Sequence, residues 1–361
     1  MGWALSIDKS DISKAKLVET GSMPLKDGQA RLAIRRFAMT ANNVTYAAFG
    51  DVMAYWHFFP AADGGRLPVW GFAEVIAEKN TGLETGERIY GYFPAADELV
   101  VEPVNVNDGS FVDGTAHRAN LPAVYNRYTR CAGDPGYAAE RETAQMVLQP
   151  LFITSWLIDL HLRDTDFMGA KCVSLTSASS KTALSLAFLL SQDKSHGVTV
   201  EALTSERSRP FVEKTGFYDQ ITTYDALDSL GPEPKRLVID FAGNSQINGT
   251  IPNTLGDALA GNIRVGGAHW EHSTPPGEMP GPKPVFFFAP DHVAQRMKEW
   301  GPGEFGKRYA AAWMSFAEAG AGLFDDMELP GAEGALTAYL QLIQNKAPAS
   351  AAMTVSVWNA A

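Results

Sequence analysis

Residues 171–190 read KCVSLTSASSKTALSLAFLL. Cys172 to Thr176 is a short apolar run, and residues 177–182 form a small polar turn. Ala183, Leu184, Leu186, Ala187, Leu189 and Leu190 then fall at helical spacing. The pattern predicts strand, tight turn and helix. A helix opening directly off a buried strand presents unpaired amides and the positive end of its dipole above the strand tip, a ready site for phosphate. Ser177, Ser179, Ser180 and Thr182 would add hydroxyl donors there, and Lys181 a cation. The same residues would also make an ordinary N-capping turn, so this segment alone leaves both readings open. Residues 198–203, followed by Thr204 and Ser205, predict the second parallel strand of a βαβ unit at the spacing a dinucleotide fold requires.

Outward from this segment the alternation continues. Strands are expected at 171–176, 198–203, 220–223, 237–241, 263–267 and 285–288, with helices at 180–191, 206–215 and 246–259. Such a series builds a parallel sheet. Upstream, residues 138–162 carry an apolar helical pattern that Pro150 should kink or divide. Residues 1 to about 110 read as short strands broken by Gly, Pro and Asp, an all-β module with strands at 32–38 and 69–78 and a turn plus strand in 82–94. A helix at 289–319, broken at GPGEFG (301–306), leads to a closing αβ piece with a strand at 353–358. Residues 272–284, HSTPPGEMPGPKP, are rich in Pro and Gly and read as a surface loop.

With 361 residues, nearly half of them apolar, the chain has ample material for two cores. A formal charge of −11 argues against nucleic acid or an anionic membrane as partner and toward a small molecule. No run of 18 apolar residues and no secretion signal is visible. The two cysteines, Cys131 and Cys172, are too few for a disulfide framework or a four-Cys zinc site and suit a reducing cytoplasm.

The order of elements resembles the medium-chain dehydrogenase/reductase superfamily. VWGFAEVIAEKNTGLETGERIYGYFP (69–94) is similar to that family's Gly-rich strand–turn–strand stretch, and PLFITSW (150–156) to its helix. LVIDFAGN (237–244) resembles the strand and Gly turn beside the nicotinamide, and NIRVGGAHW (262–270) the strand after it. More narrowly, NNVTYAAFGD, YWHFFPA, VYNRY and SASSKTA resemble a bacterial family within the superfamily that is described as of unknown function. The resemblance implies an α/β fold: a GroES-like β-rich catalytic module over 1–137, a Rossmann doubly wound parallel sheet over 138–319, and a return to the first module over 320–361. It also implies NADP(H) as cofactor and a homodimer.

Two departures from the superfamily pattern shape the chemistry. The zinc-ligating Gly-His-Glu position holds Gly71, Phe72, Ala73 and Glu74, and no Cys falls in the first hundred residues, so catalytic zinc is not expected and the chain sides with the zinc-free, quinone-oxidoreductase-like branch. The phosphate-turn glycines are replaced by Ser177, Ser180 and Ala183. At the tip of the second strand, an NAD enzyme would place an acidic residue, whereas Thr204 and Ser205 precede Arg207 and Arg209. Hydroxyl plus guanidinium suits a 2′-phosphate, hence NADP over NAD; the alternative is a solvated helix start with Glu206 pairing an Arg. By resemblance Thr154, Gly243 and Gly266 also border the cofactor. Without zinc, a developing oxyanion or enolate needs an amide or phenol donor, for which Asn43, Tyr46 and Tyr55 are the candidates. An aromatic cluster also fills cores, and Tyr125 and Tyr128 share that ambiguity. His269, Glu271 and His272 lack a third ligand at a recognisable spacing, so no metal is expected. These features predict a zinc-independent NADPH-dependent oxidoreductase acting on an apolar conjugated carbonyl of quinone or enone type. The missing glycines motivate the alternative, a degenerate Rossmann protein that binds a nucleotide or other ligand without catalysis.

Overall fold

The segment around residue 171 folds as its pattern predicts: Cys172–Thr176 is a strand buried along its whole length, and Lys181–Gln192 an α-helix that buries Ala183 through Phe188. The computed structural model describes residues 2–265 and 280–358. Two compact units divide it, Met1–Val147 with Phe324–Ala361, and Leu148–Leu323. Sequence pattern places the divisions at 137/138 and 319/320. The first turn of the helix Glu142–Asp164 counts with the first unit because the Arg88 guanidinium grips the Glu142 carboxylate at 2.6 and 2.9 Å, and the Tyr137 hydroxyl donates to it at 2.9 Å.

The strands of the second unit are β1 (Cys172–Thr176), β2 (Thr199–Thr204), β3 (Gln220–Thr223), β4 (Arg236–Asp240), β5 (Leu259–Arg264) and β6 (Val285–Phe286). Among the described residues they are all parallel and hydrogen-bonded in the order 3-2-1-4-5-6. This is the doubly wound Rossmann order, and its switch point lies between β1 and β4. Val173, Leu175, Val200, Leu237 and Ile239 are fully buried, as expected of strands covered on both faces. The sheet also encloses a charge. Glu201 accepts hydrogen bonds from Ser174 (2.6 Å) and Thr222 (3.0 Å) and pairs with Arg236 at 3.3 Å. Donors from three neighbouring strands meet one carboxylate, so a register slip would leave that charge buried without partners.

In the first unit a larger sheet runs Asp325–Pro330, Ala351–Ser356, Ala30–Ala38, Pro68–Glu78, Arg88–Pro94, Arg127–Arg130, Ser110–Asp113 and Pro103–Asn107, and Glu98–Val101 also pairs with Ala30–Ala38. The chain's end is built into it: Thr354 stands opposite Ala38 in an antiparallel pair. A smaller sheet pairs Gly2–Ile7 with Ala15–Thr20 and Gly65–Arg66.

One local expectation is corrected. The first unit is not all β, because Ala41–Ala48 is an α-helix. Thr40 caps it, accepting from the Asn42 amide, while the Asn43 side chain accepts from the Thr40 amide at 2.7 Å, a capping box that orders a short helix in strand-rich surroundings. Pro150 does not divide its helix, which runs unbroken over Glu142–Asp164. Proline removes one backbone bond, and the buried side chains of Met146, Val147, Leu148, Phe152 and Trp156 hold the turn around it. No helix among the described residues is long and apolar enough to cross a membrane.

Candidate functional site

The turn at the tip of β1 is stapled by side chains. Ser180 caps the helix Lys181–Gln192, its hydroxyl accepting from the Ala183 amide at 3.3 Å. Ser177, at the first glycine position of the fingerprint, has φ +49°. That is the left-handed region, which costs an L-residue about 1–2 kcal/mol and explains why glycine is usual there. Tyr224 Oη accepts from the Ser177 amide at 2.7 Å, and Tyr218 donates its hydroxyl to the Ala178 carbonyl at 2.7 Å. The amide of Ala178 bonds to the Leu203 carbonyl and that of Ser180 to the Ser177 carbonyl. The amides of Ser177, Ala178, Ser180 and Ala183 are thus engaged, while those of Ser179 and Thr182 stand outside this set.

Lys181 occupies the first turn of a helix that has no acidic residue there. Burial pulls its ammonium down from 10.5 to about 8. A desolvated cation at the positive end of a helix dipole gains from an incoming anion. The neighbouring helix Glu142–Asp164 is tied to this turn where Ser155 donates to the Thr182 carbonyl at 2.7 Å; Thr154, beside it, is half-buried.

At the end of β2, Thr204 is buried and the hydroxyls of Ser205 and Ser208 bond at 3.2 Å. Arg207 and Arg209 are exposed. Arg209 pairs with Glu213 at 2.8 Å, one helical turn apart. The helix begins only at Arg209, so Arg207 lies in the loop before it.

Sequence reasoning passed over the polar centre of the switch point. Asp240, fully buried at the end of β4, accepts the Thr176 hydroxyl at 2.8 Å and the amides of Ala242 and Gly243 at 3.1 Å each. Its other oxygen accepts from Asn248 Nδ2 at 2.8 Å. Thr176 in turn accepts from the amides of Phe241 and Ala242. This network welds the tips of β1 and β4 and shapes the turn in which Gly243 adopts φ +65°. The only sequence signal was a strand-terminal Asp before a Gly turn. Gly266, His269, Glu271 and His272 lie outside the described residues. Among the described residues no group of three His, Cys, Asp or Glu side chains could hold a metal ion.

In the first unit the candidate donors separate. The Asn43 amide is wholly engaged, accepting from Thr40 and donating to the Pro68 carbonyl at 2.8 Å. Tyr46, on the same helix, accepts from Trp70 Nε1 at 3.3 Å. The Tyr55 ring meets that of Tyr125 edge-on at 6.1 Å. Ring centroids lie 4.6 Å apart for Tyr46–Tyr55, 5.6 Å for Tyr46–Tyr92 and 4.6 Å for Tyr92–Tyr125. Burial raises the pKa of all four phenols, so near neutrality they donate hydrogen bonds and do not act as bases. Tyr128 belongs to the core behind them: it donates to the Tyr92 carbonyl at 2.6 Å, accepts from Arg118 at 3.2 Å, and its ring leaves no room for a Cβ at Gly91.

A β-rich GroES-like unit and a Rossmann sheet, with the chain's end returning to the first, are the architecture of the medium-chain dehydrogenase/reductase superfamily. The chain belongs to the family described as "Protein of unknown function (DUF2855)", which matches residues 37–348. Among curated proteins no sequence matches. The fold is shared with CurA from Vibrio vulnificus solved in complex with NADPH (12% identity, TM-score 0.65, 99% of this chain and 100% of that one). It is also shared with the yhdH oxidoreductase from Salmonella enterica in complex with NADP (14%, 0.56, 99% and 100%) and a putative NADPH:quinone reductase from Bacillus thuringiensis (12%, 0.57, 99% and 99%).

Proposed function

We propose that this chain is a zinc-independent, NADPH-dependent oxidoreductase that reduces an apolar conjugated carbonyl of quinone or enone type. The observation that carries the reading is Lys181, a desolvated cation in the first turn of the helix that leaves β1 at the switch point of a 3-2-1-4-5-6 sheet. The donor set fits a phosphorylated dinucleotide. Lys181, the amides of Ser179 and Thr182 and the hydroxyls of the turn would hold the pyrophosphate, and Ser205 and Arg207 a 2′-phosphate; Thr154, Gly243 and Gly266 are proposed as further cofactor contacts. Bound NADPH would supply the hydride. Tyr46 and Tyr55, kept protonated by burial, would donate hydrogen bonds to the oxygen on which negative charge develops. Asn43, with its amide engaged, would act by fixing the helix that carries Tyr46. A homodimer is proposed on the same footing.

The test is a fluorescence titration with NADPH and NADH, with Arg207→Ala alongside, followed by a quinone and enone acceptor screen. The reading expects NADPH to bind more tightly than NADH and Arg207→Ala to remove most of that preference. A second reading, ligand binding without turnover, is favoured by one observation: the amides of Ser177 and Ala178 are already occupied by Tyr224 and Leu203. NADPH oxidation with any acceptor of the panel would exclude it, and failure to bind either nucleotide would refute the first reading.

A further inference from the structure

The hydroxyl of Tyr92 is singular in the phenol cluster. Tyr92 is fully buried, and among the described residues its Oη has no hydrogen-bond partner. Leaving such a group unsatisfied costs about 1–3 kcal/mol, a penalty that a purely structural Phe would avoid. Of the other hydroxyls in the cluster, that of Tyr46 accepts from Trp70 Nε1 at 3.3 Å, and Tyr92 is the tyrosine of the cluster whose buried Oη lacks any partner. The ring stacked nearest to Tyr92 is that of Tyr125, 4.6 Å away at an interplanar angle of 35°. Tyr125 is half-buried on a single 3-10 turn, Ala123–Tyr125, and the adjoining Val124 is 49% exposed, so the cluster reaches solvent at this ring.

We infer that Tyr92 is a specificity-determining residue, its hydroxyl donating to an oxygen of a planar, uncharged ring that takes the place now held by the Tyr125 ring. Tyr125 would then be an internal stand-in, a phenol seated on the aromatic wall beside the rings of Tyr55 and Trp70. The charge of the ligand follows from Arg118, the cation that bears on Tyr92. Its guanidinium is consumed by Asp113 (3.2 Å), Tyr128 (3.2 Å) and the Phe58 carbonyl (3.3 Å), leaving no cation for a carboxylate. The inference rests on the quinone or enone reading above and narrows it to neutral, flat carbonyl compounds.

The test measures binding of 1,4-naphthoquinone, with 2-naphthoate as the charged counterpart, by tryptophan quenching of the full chain without nucleotide. Wild type should bind the quinone and not the naphthoate. Tyr92→Phe should weaken the quinone about tenfold, the loss of one hydrogen bond, and Tyr125→Ala should tighten it. Quinone affinity within twofold of wild type in Tyr92→Phe, weaker binding in Tyr125→Ala, or equal binding of naphthoate would each overturn the inference. Should Tyr92→Phe fail to fold, the direction of the Tyr125→Ala effect still decides. A parallel NADPH titration separates the readings: wild type that binds NADPH but not the quinone sinks the Tyr92 assignment and leaves the cofactor assignment standing.

Discussion

Lys181→Met separates ligand binding from stability by moving them in opposite directions. The Lys181 ammonium is desolvated in the fold, with its pKa at about 8 against 10.5 in water. The folded value lies below the unfolded one, so the unfolded chain holds this proton more tightly. Carrying the charge therefore lowers stability at pH 7, and the deficit is recovered as pH rises from about 8 to 10.5. At about 1.4 kcal/mol per pKa unit, the gap corresponds to up to about 3 kcal/mol. The Met variant should unfold at higher urea concentration than wild type at pH 7, and the difference should shrink toward pH 10. Binding should go the other way. A charge-assisted hydrogen bond to phosphate contributes about 1.5–3 kcal/mol, so the variant should bind NADPH roughly 10- to 100-fold more weakly at pH 7. In wild type the affinity should hold up to about pH 8 and then fall, because the free protein must first take up a proton to make the contact; the variant should be flat over pH 7–9.5. Nicotinamide fluorescence titrations at half-unit pH steps measure this directly. Unchanged NADPH affinity in Lys181→Met at pH 7, or a wild-type profile flat through pH 9, would refute the argument.

Three further outcomes follow from the same site. Ser177→Gly relieves the left-handed backbone at φ +49°, worth about 1–2 kcal/mol, against about 0.5–1 kcal/mol for the freer unfolded chain; its urea midpoint should equal or exceed that of wild type. Asp240→Ala removes the acceptor of Thr176, Ala242, Gly243 and Asn248 and should cost about 3 kcal/mol or more in urea unfolding, with Asp240→Asn milder. On β6, one of the two edge strands of the parallel sheet among the described residues, Val285 and Phe286 are 64% and 59% exposed. If the proposed homodimer forms there, Phe286→Glu should shift sedimentation from dimer to monomer.

How much of this the sequence disclosed depends on how local each determinant is. The strand, turn and helix around residue 171 were legible because period-2 and period-3.6 patterns switch within twenty residues. The helix Ala41–Ala48 was not, because it is eight residues long and its ordering signal is a capping box, Thr40 with Asn43, whose asparagine also suited a catalytic reading. The proline at residue 150 left a kink or a division open, and the helix runs undivided through it, its buried side chains outweighing the loss of one backbone bond. Asp240 and Tyr92 were invisible for a different reason. Each has its significance through partners, or the lack of them, that lie far along the chain, Thr176 being 64 residues from Asp240.

The turn above β1 shows what replacing the glycines does to recognition. In a glycine-rich turn the backbone wraps the pyrophosphate and its amides make most of the contacts. Here Ser177 holds the left-handed conformation a glycine would supply, Tyr224 and Tyr218 pin the backbone on either side of it, and the Asp240 network anchors the strand tips beneath. The platform is rigid, but four of its amides are turned to internal partners. The proposed anion contacts are accordingly weighted toward side-chain charge, Lys181 at the helix start and Arg207 beyond β2, with the amides of Ser179 and Thr182 between. A glycine-poor sequence is therefore not evidence against the cofactor by itself. On the proposed reading, a stapled turn and a desolvated lysine would take the place of the backbone cradle, and the strength of NADPH binding would depend on whether that lysine carries its proton.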